Sequence, residues 1–156
     1  LVRHVLLQQA GWSLERHVPE LGRTLGEELL EPTRVYAKAC LEVVRGGDVH
    51  AMSHITGGGL ANNLARVLPS GVEVVIDRAT WCPSPIFGLV QSVGGVSQPD
   101  IEATLNQGVG MVMLLPAAEV EAARATLAGF GIDAWAAGEA VAAPGDGSVR
   151  MIGQHG

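Results

Sequence analysis

The chain has 156 residues, of which 47% are hydrophobic and 17% charged, and its formal net charge is −6. This composition is typical of one ordered globular domain and excludes an intrinsically disordered chain. The acidic balance argues against nucleic acid as a partner, because a nucleic-acid surface needs a basic patch. No apolar run reaches the roughly 18 residues that span a bilayer, and no signal-peptide pattern is present, so no membrane association is expected.

The cysteine and lysine content narrows the function classes further. Cys40 and Cys82 lie far apart without a second pair to complete a zinc site, which predicts reduced packing thiols in a cytoplasmic protein. The single lysine, Lys38, follows an alanine, so the phosphate-binding P-loop signature is impossible and no self-contained ATP site is expected. An anion site here must use arginine, histidine and backbone N–H groups.

Hydrophobic spacing and turn residues predict helices and strands in alternation. Helices are expected over residues 1–10, 24–30, 33–44, 59–68, 85–93, 99–105 and 116–130. Strands are expected over residues 48–55, 72–76, 109–115, 133–142 and 148–152, the last two as a closing hairpin. Residues 12–22 read as a loop, and residues 153–156 as a frayed end. Because the order lacks a strict βαβ rhythm, the predicted class is α+β with α/β-like layers, a mixed β-sheet flanked by helices.

The first residue bears on domain organisation. The chain begins at Leu1, already in a helical pattern and without an initiator methionine. We therefore expect residues 1–156 to form a single domain that is a fragment of a longer protein.

The most informative segment is a strand that runs into Gly57, Gly58 and Gly59 and then into a helix. Consecutive glycines permit positive φ angles and leave no Cβ to block an incoming group. The start of a helix offers unpaired N–H groups and the positive end of a dipole. Together these features predict a phosphate-binding site. The alternative is a tight turn that only joins the strand to the helix.

Polar residues flank the three glycines. The His54 imidazole would sit at the mouth of the turn, where it could bond a substrate or a catalytic partner. The Thr56 hydroxyl would contact an anion or cap the helix, and both roles are compatible. Asn63 and Arg66 would follow on one side of that helix, although an arginine there is ordinarily a solvated surface residue. His50 is expected to be structural and no metal site is predicted, because Ala51 stands where the zinc motif needs glutamate.

Two further elements are candidate ligand contacts. Thr33 and Arg34 are predicted in the first turn of a helix, where an arginine is electrostatically unfavourable unless an anion is near. Asn106 and Gly108 lie where the chain enters a buried strand, and glycines there permit close approach of a ligand. A simple bulge explains the second pattern equally well.

Four stretches in this order resemble the C-terminal half of the aminoimidazole ribonucleotide synthetase family, also called phosphoribosylformylglycinamidine cyclo-ligases. They are Leu29-Leu30-Glu31-Pro32-Thr33-Arg34-Val35-Tyr36; Asp48-x-His50-x-x-x-His54-Ile55-Thr56-Gly57-Gly58-Gly59 with Asn63 and Arg66-Val67-Leu68-Pro69; Pro85-Ile86-Phe87 before Leu89 and Gln91; and Asn106-Gln107-Gly108-Val109-Gly110-Met111. The resemblance spans roughly residues 1–138. It departs from the family pattern at Ala65, where a proline is common, and at Leu105, where an aromatic residue is usual.

The resemblance implies an enzyme of purine biosynthesis that closes the imidazole ring of formylglycinamidine ribonucleotide in an ATP- and Mg²⁺-dependent reaction. It implies that ATP and Mg²⁺ belong to a preceding half, that this fragment alone binds neither and is inactive, and that the whole enzyme is a homodimer. His54 would be catalytic, and the other candidate residues named above would bind the substrate and its phosphate. The alternative is a phosphate- or nucleotide-binding module of the same superfamily without catalysis of its own. A third interpretation is a domain that serves chiefly as a packing partner.

Overall fold

Six α-helices and seven β-strands follow one another along the chain, and the computed structural model describes all 156 residues. The helices are α1 (Leu25–Leu29), α2 (Ala37–Gly46), α3 (Gly59–Ala65), α4 (Pro85–Gly94), α5 (Gln98–Thr104) and α6 (Val120–Ala128). The strands are β1 (His17–Val18), β2 (Arg23–Thr24), β3 (Ala51–His54), β4 (Val72–Asp77), β5 (Met111–Leu114), β6 (Gly138–Ala142) and β7 (Ser148–Ile152). The predicted α+β class is confirmed. None of the helices combines the length and apolarity that crossing a bilayer requires.

The strands form three small sheets. β1 pairs with β2 and β3 pairs with β5, both antiparallel. The third sheet has the order β6-β4-β7, in which β4 runs antiparallel to β6 and parallel to β7. The mixed sheet is therefore confined to three strands. Its central strand carries Val74 and Ile76 into the core, as the apolar run there predicts.

The predicted closing hairpin is wrong, because β6 and β7 lie on opposite sides of β4. The loop between β6 and β7 crosses the start of β4, the central strand. Gly71 anchors this crossing, since its N–H donates to Gly145 O and its carbonyl accepts from Ala143 N. Gly147 packs against Leu68 so closely that a Cβ there would overlap it. The sequence signals two strands and a turn correctly, but it does not show that a third strand lies between them.

A first hydrophobic core lies beneath the N-terminal segment, α1, α4 and α5. Its buried members are Val5, Leu6, Val18, Leu25, Val90 and Ile101. The predicted α-helix at the N terminus is instead a π-helix over His4–Gln9. Its wider turn lets the consecutive residues Val5 and Leu6 both face the core, where each is almost fully buried. The loop expected over residues 12–22 contains β1 and a 3₁₀ turn at Pro19–Leu21. The helix predicted over residues 24–30 is α1, and a capping box formed by Thr24 and Glu27 opens it.

A second core joins α3 to the β4 sheet. Its buried members are Ile55, Leu60, Leu64, Val74, Ile76 and Val109. The two cores meet where Gly59 at the start of α3 lies against the backbone of Glu102 and Ala103 in α5. Because a Cβ at Gly59 would overlap Glu102 O, only glycine permits this approach.

An ion pair connects the end of the β4 segment to α5. Arg78 Nε and Nη2 donate to the two carboxylate oxygens of Glu102 at 2.7 and 2.8 Å, and Gln98 Nε2 donates at 2.8 Å. These hydrogen bonds, led by those from Arg78, hold the pKa of Glu102 below its ordinary value of 4.5 against the opposing effect of burial. The bidentate geometry is the strong form of an arginine–carboxylate pair.

The end of the chain is packed and not frayed. Gly153 O accepts from Arg78 Nη1 at 3.4 Å, and the His155 ring lies edge-on to Trp81 with 4.6 Å between centroids. The prediction of a frayed end over residues 153–156 is therefore wrong. Polarity and glycine content at the end of the sequence gave no sign of an aromatic partner more than seventy residues away.

The close approach at Gly59 predicts a large difference between neighbouring glycines. We expect Gly59→Ala to lower the free energy of unfolding by about 2 kcal/mol or more, because it adds both overlap with α5 and strain at φ +74°. Gly57→Ala is the matched control, since nothing lies within 4 Å of a Cβ at that position. Urea unfolding of both variants measures the difference. Equal losses for the two variants would contradict the packing role of Gly59.

The Arg78–Glu102 pair predicts a pH-dependent stability. At pH 7 we expect Glu102→Gln to cost about 2 kcal/mol, because a partly buried arginine loses its charged partner. A lowered pKa means that the carboxylate stabilises the fold above pH 4.5 and loses this effect as the pH falls through the folded-state value. The difference in free energy of unfolding between the natural protein and Glu102→Gln should therefore become smaller below pH 4.5, as measured by urea titrations. Glu121→Gln, which removes an exposed pair with Arg124, should show almost no gap at any pH.

Candidate functional site

The candidate site lies at one end of the β3–β5 ribbon. In this antiparallel pair His54 lies opposite Met111, and beyond them Ile55 N donates to Gly110 O at 2.9 Å. The end of β3 and the start of β5 therefore lie at the same end of the ribbon. The glycine turn leaves the ribbon there, and the chain segment over residues 106–110 enters it there. Two of the segments singled out by sequence are thus brought together.

The backbone of the glycine turn presents two free donors. Gly58 has a left-handed conformation with φ 102°, which glycine adopts readily. The N–H groups of Gly57 and Gly58 donate to no carbonyl of the chain, whereas Gly59 N donates to Thr56 O at 3.2 Å. Gly57 is exposed and Gly59 is buried. Gly58 is half-buried, so the turn leaves the first two of the three predicted amides without an acceptor in the chain, and the third serves packing.

Three exposed side chains surround these amides. Arg66 extends back over the turn, and its Nη2 lies 3.7 Å from the position of a Cβ on Gly58. It forms no ion pair or side-chain hydrogen bond within the chain. The Thr56 hydroxyl also has no hydrogen bond, and no side chain caps α3, so the capping role considered for Thr56 is absent. His54 is exposed and meets the Tyr36 ring edge-on at 6.1 Å between centroids. The free amides therefore have three side-chain groups beside them: the unpaired Arg66 guanidinium, the Thr56 hydroxyl and the His54 imidazole.

Asn63 holds the turn in shape from beneath. It is buried, and its Nδ2 donates to Gly59 O at 2.7 Å and to Gly57 O at 3.3 Å. Asn62 Nδ2 donates to Gly58 O at 2.8 Å. Because the three glycine carbonyls are tied to α3, the peptide groups of the turn are fixed in orientation. Asn63 is thus a positioning residue for the Gly57 and Gly58 amides.

The second segment at this edge is a tight turn before β5. Asn106 Oδ1 accepts from Gly108 N at 3.2 Å, and Asn106 O accepts from Val109 N at 3.0 Å. Gln107 and Gly108 both have positive φ angles, 52° and 86°. Asn106 therefore shapes the turn through its side chain, while Gly108 is exposed at its tip.

Thr33 and Arg34 lie apart from the glycine turn and outside any helix. The helix predicted over residues 33–44 begins only at Ala37, so the electrostatic conflict inferred for Arg34 is wrong. Arg34 Nη1 donates to Gly131 O at 3.3 Å and lines a surface cavity of about 430 Å³ with Lys38 and Phe130. The segment reaches the site through Tyr36, whose hydroxyl packs against Gly110 and whose ring contacts His54.

The histidines and carboxylates of the chain do not form a cluster of metal ligands. His50 Nε2 lies 3.2 Å from Asp48 Oδ2 in an exposed pair, and His54 contacts Tyr36 instead of His50. No group of three or more histidine, cysteine, aspartate or glutamate side chains comes together. Mg²⁺ prefers carboxylate oxygens, and Glu102 is committed to Arg78 and Gln98. These residues do not fit a resident Mg²⁺ ion.

A second cluster of polar side chains, which the sequence did not predict, lies next to α3. It comprises Gln107, His155 and the Arg78–Glu102 pair, gathered around Trp81. Trp81 Nε1 donates to Gln107 O at 3.1 Å, and His155 Nδ1 lies 3.1 Å from Arg78 O. These residues are scattered along the sequence with no motif or periodicity to connect them. Only the folded chain brings them together.

Comparison with known proteins agrees with this architecture. The family model described as AIR synthase related protein, C-terminal domain, matches residues 4–150. A putative phosphoribosylformylglycinamidine cyclo-ligase from Streptomyces fradiae is 60% identical over 139 residues, which are 89% of this chain and 76% of that protein. Phosphoribosylformylglycinamidine cyclo-ligases from Shouchella clausii and Symbiobacterium thermophilum are 45% and 43% identical.

The two latter matches cover 96% and 97% of this chain but only 43% and 44% of the relatives. The chain therefore spans less than half the length of these two proteins. The matched family model includes the glycine turn, the turn before β5 and the β4 sheet. With a family model over residues 4–150 and a relative 60% identical, the chain belongs to the family of AIR synthase related proteins, whose C-terminal domain it matches.

Proposed function

We propose that this chain is the substrate-binding C-terminal part of an ATP-dependent cyclo-ligase of purine biosynthesis. The reaction converts formylglycinamidine ribonucleotide to aminoimidazole ribonucleotide. The observation that carries the proposal is the pair of free amides at Gly57 and Gly58 beneath the unpaired Arg66 guanidinium. In a member of this family, that arrangement is suited to the phosphate of a ribonucleotide.

Phosphate recognition follows from the chemistry of the exposed groups. Two adjacent backbone N–H groups form a concave donor pair for one anionic oxygen or two neighbouring ones. The Arg66 guanidinium supplies the positive charge and further donors, and charge-assisted hydrogen bonds of this kind are about twice as strong as neutral ones. The Thr56 hydroxyl adds a donor at the same edge. Asn63 and Gly59 contribute indirectly, because they hold the turn against α3 and α5.

His54 is the candidate for proton transfer or for orienting the reacting amide. In the proposed reaction the γ-phosphoryl group of ATP is transferred to the formyl amide oxygen and ADP leaves. The amidine nitrogen then attacks the activated carbon, and the C–O bond breaks as inorganic phosphate departs. An imidazole at the mouth of the phosphate site is placed to donate a hydrogen bond to the substrate or accept its proton. The Tyr36 ring edge limits the orientations of this imidazole.

ATP and Mg²⁺ are assigned to a part of the longer protein that is not in this chain. The chain covers 43% of the Shouchella relative, and its carboxylates do not gather into a cation site. Leu30 and Val35 are 78% and 83% exposed on either side of Thr33 and Arg34. Apolar side chains this exposed suit a surface that the ATP-binding half covers. Under this proposal the whole enzyme is a cytoplasmic homodimer, and Thr33 and Arg34 face the docked half.

Separate calorimetric titrations test the division of labour. We expect the 156-residue chain to bind formylglycinamidine ribonucleotide without ATP and to show no heat of binding for ATP alone. It should also form no product when both are supplied. Binding of ATP but not of the ribonucleotide would show that the roles of the two halves are reversed. Product formation by this chain alone would contradict the assignment of ATP to another part of the protein.

Replacement of Arg66 tests the phosphate site itself. Arg66→Gln should weaken ribonucleotide binding about tenfold or more, since a charge-assisted hydrogen bond is worth about 1.5–3 kcal/mol. Its remaining affinity should also depend less on salt, because one charge–charge attraction is lost. Arg45→Gln is the matched control, since Arg45 is exposed and pairs only with Glu42. Unchanged affinity in Arg66→Gln would show that the substrate phosphate does not bind at the glycine turn.

A further inference from the structure

Tyr36 and Gly110 come from two of the segments singled out in the sequence and pack against each other. A Cβ on Gly110 would overlap the hydroxyl and the ring of Tyr36, so the phenol occupies the space that a side chain there would need. Gly110 does not have a positive φ angle, so its backbone conformation does not require glycine. At Gly108, by contrast, φ is 86° and the nearest atom to a Cβ, Phe87 Cε2, is 3.9 Å away. Glycine is therefore needed at residue 110 because of the space that Tyr36 fills.

Both residues are fixed through their backbones. Gly110 O accepts from Ile55 N at 2.9 Å at the end of the β3–β5 ribbon, and Ile55 is fully buried. Tyr36 O accepts from Cys40 N at 2.9 Å at the start of α2, and Cys40 is buried as well. The Tyr36 side chain therefore connects the start of α2 to the end of the ribbon.

His54 directly precedes Ile55 and is the second residue that the Tyr36 ring contacts. Its imidazole is exposed and makes no side-chain hydrogen bond within the chain, so no polar partner selects one of its staggered rotamers. The Tyr36 ring lies beside it, with 6.1 Å between the ring centroids and 62° between the ring planes. Both values lie in the range of favourable edge-to-face aromatic pairs. Tyr36 is thus the side chain that restricts the orientation of His54.

We propose that Tyr36 is a positioning residue for the His54 imidazole, and that Gly110 is required because it leaves room for the Tyr36 phenol. This inference rests on the proposed function for the chemistry that His54 performs on the substrate. An imidazole that exchanges a proton with a substrate must be held at the correct distance and angle, and a misplacement of about 1 Å lowers the rate by about a hundredfold. A methyl group on residue 110 would displace the phenol, which would then no longer restrict His54. Gly110→Ala would therefore act on His54 through Tyr36.

NMR spectra of the 156-residue chain without substrate test the arrangement separately from the proposed function. The carbon-bound ring protons of His54 report the position of Tyr36, because an aromatic ring shifts the signals of nearby protons. His54→Gln identifies these signals among those of the five histidines. Tyr36→Leu and Gly110→Ala should each move them, whereas Tyr36→Phe, which keeps the ring, should move them little. Gly88→Ala is the matched control, since nothing lies within 4 Å of a Cβ at that position.

The combined variant decides whether Gly110 acts through Tyr36. In the Tyr36→Leu background the phenol is gone, so adding Gly110→Ala should neither move the His54 signals further nor lower the stability in urea further. Additive effects, or unmoved His54 signals in a folded Gly110→Ala variant, would overturn the proposal. If Gly110→Ala alone does not fold, the combined variant should still fold as Tyr36→Leu does. Its failure to do so would also overturn the proposal.

Kinetics of the longer enzyme connect the arrangement to the reaction. Tyr36→Leu should lower kcat about tenfold or more with little change in KM, because the phosphate contacts at the glycine turn stay intact. Tyr36→Phe should recover most of this loss. A normal kcat in Tyr36→Leu together with a low kcat in His54→Gln would overturn the positioning role. A normal kcat in both variants would instead contradict the role of His54 in the proposed function, and the NMR result for Tyr36 and Gly110 would stand.

Discussion

The backbone contact between Gly59 and α5 holds the domain together. The first core fills the space beneath the N-terminal segment and α4, and the second lies between α3 and the β4 sheet. They touch where a residue without a side chain lets α3 approach Glu102 and Ala103. The last glycine of the turn is fixed in this way, whereas the N–H groups of the two before it have no acceptor in the chain. One packing constraint thus both joins the cores and exposes the amides assigned to phosphate.

Polar interactions reinforce this junction on both sides. Asn63 ties the glycine carbonyls to α3, and Arg78 ties the end of the β4 segment to α5 through Glu102. Both side chains use their hydrogen-bonding capacity within the chain, unlike Arg66 and Thr56. The contrast separates residues that build the site from residues that are free to bind. Gln107 Nε2 and His155 Nε2 belong to neither group, since they are buried and have no hydrogen-bond partner.

Local signals in the sequence predict most of this fold. The Thr24 capping box, the apolar run of β4 and the strand–glycine–helix junction each depend on neighbouring residues, so they can be read from the sequence. The division of labour among Gly57, Gly58 and Gly59 cannot be read in this way, because it depends on α5, some forty residues further on. Contacts between residues distant in sequence also explain why the predicted hairpin does not form and why residues 153–156 pack near Trp81. Arg34 was misplaced because the helix begins later than its apolar spacing indicates.

The insertion of β4 between β6 and β7 has a consequence for synthesis of the protein. Arg150 and Glu73 pair across this sheet although they are 77 residues apart in the chain. While the ribosome is still translating the region after β5, neither β6 nor β7 is available, so the backbone groups on both edges of β4 are unpaired. Such long-range pairing is slow, and unpaired strands of this kind invite aggregation. The central strand of the nascent polypeptide is therefore open to wrong pairing until β6 and β7 have both been synthesised.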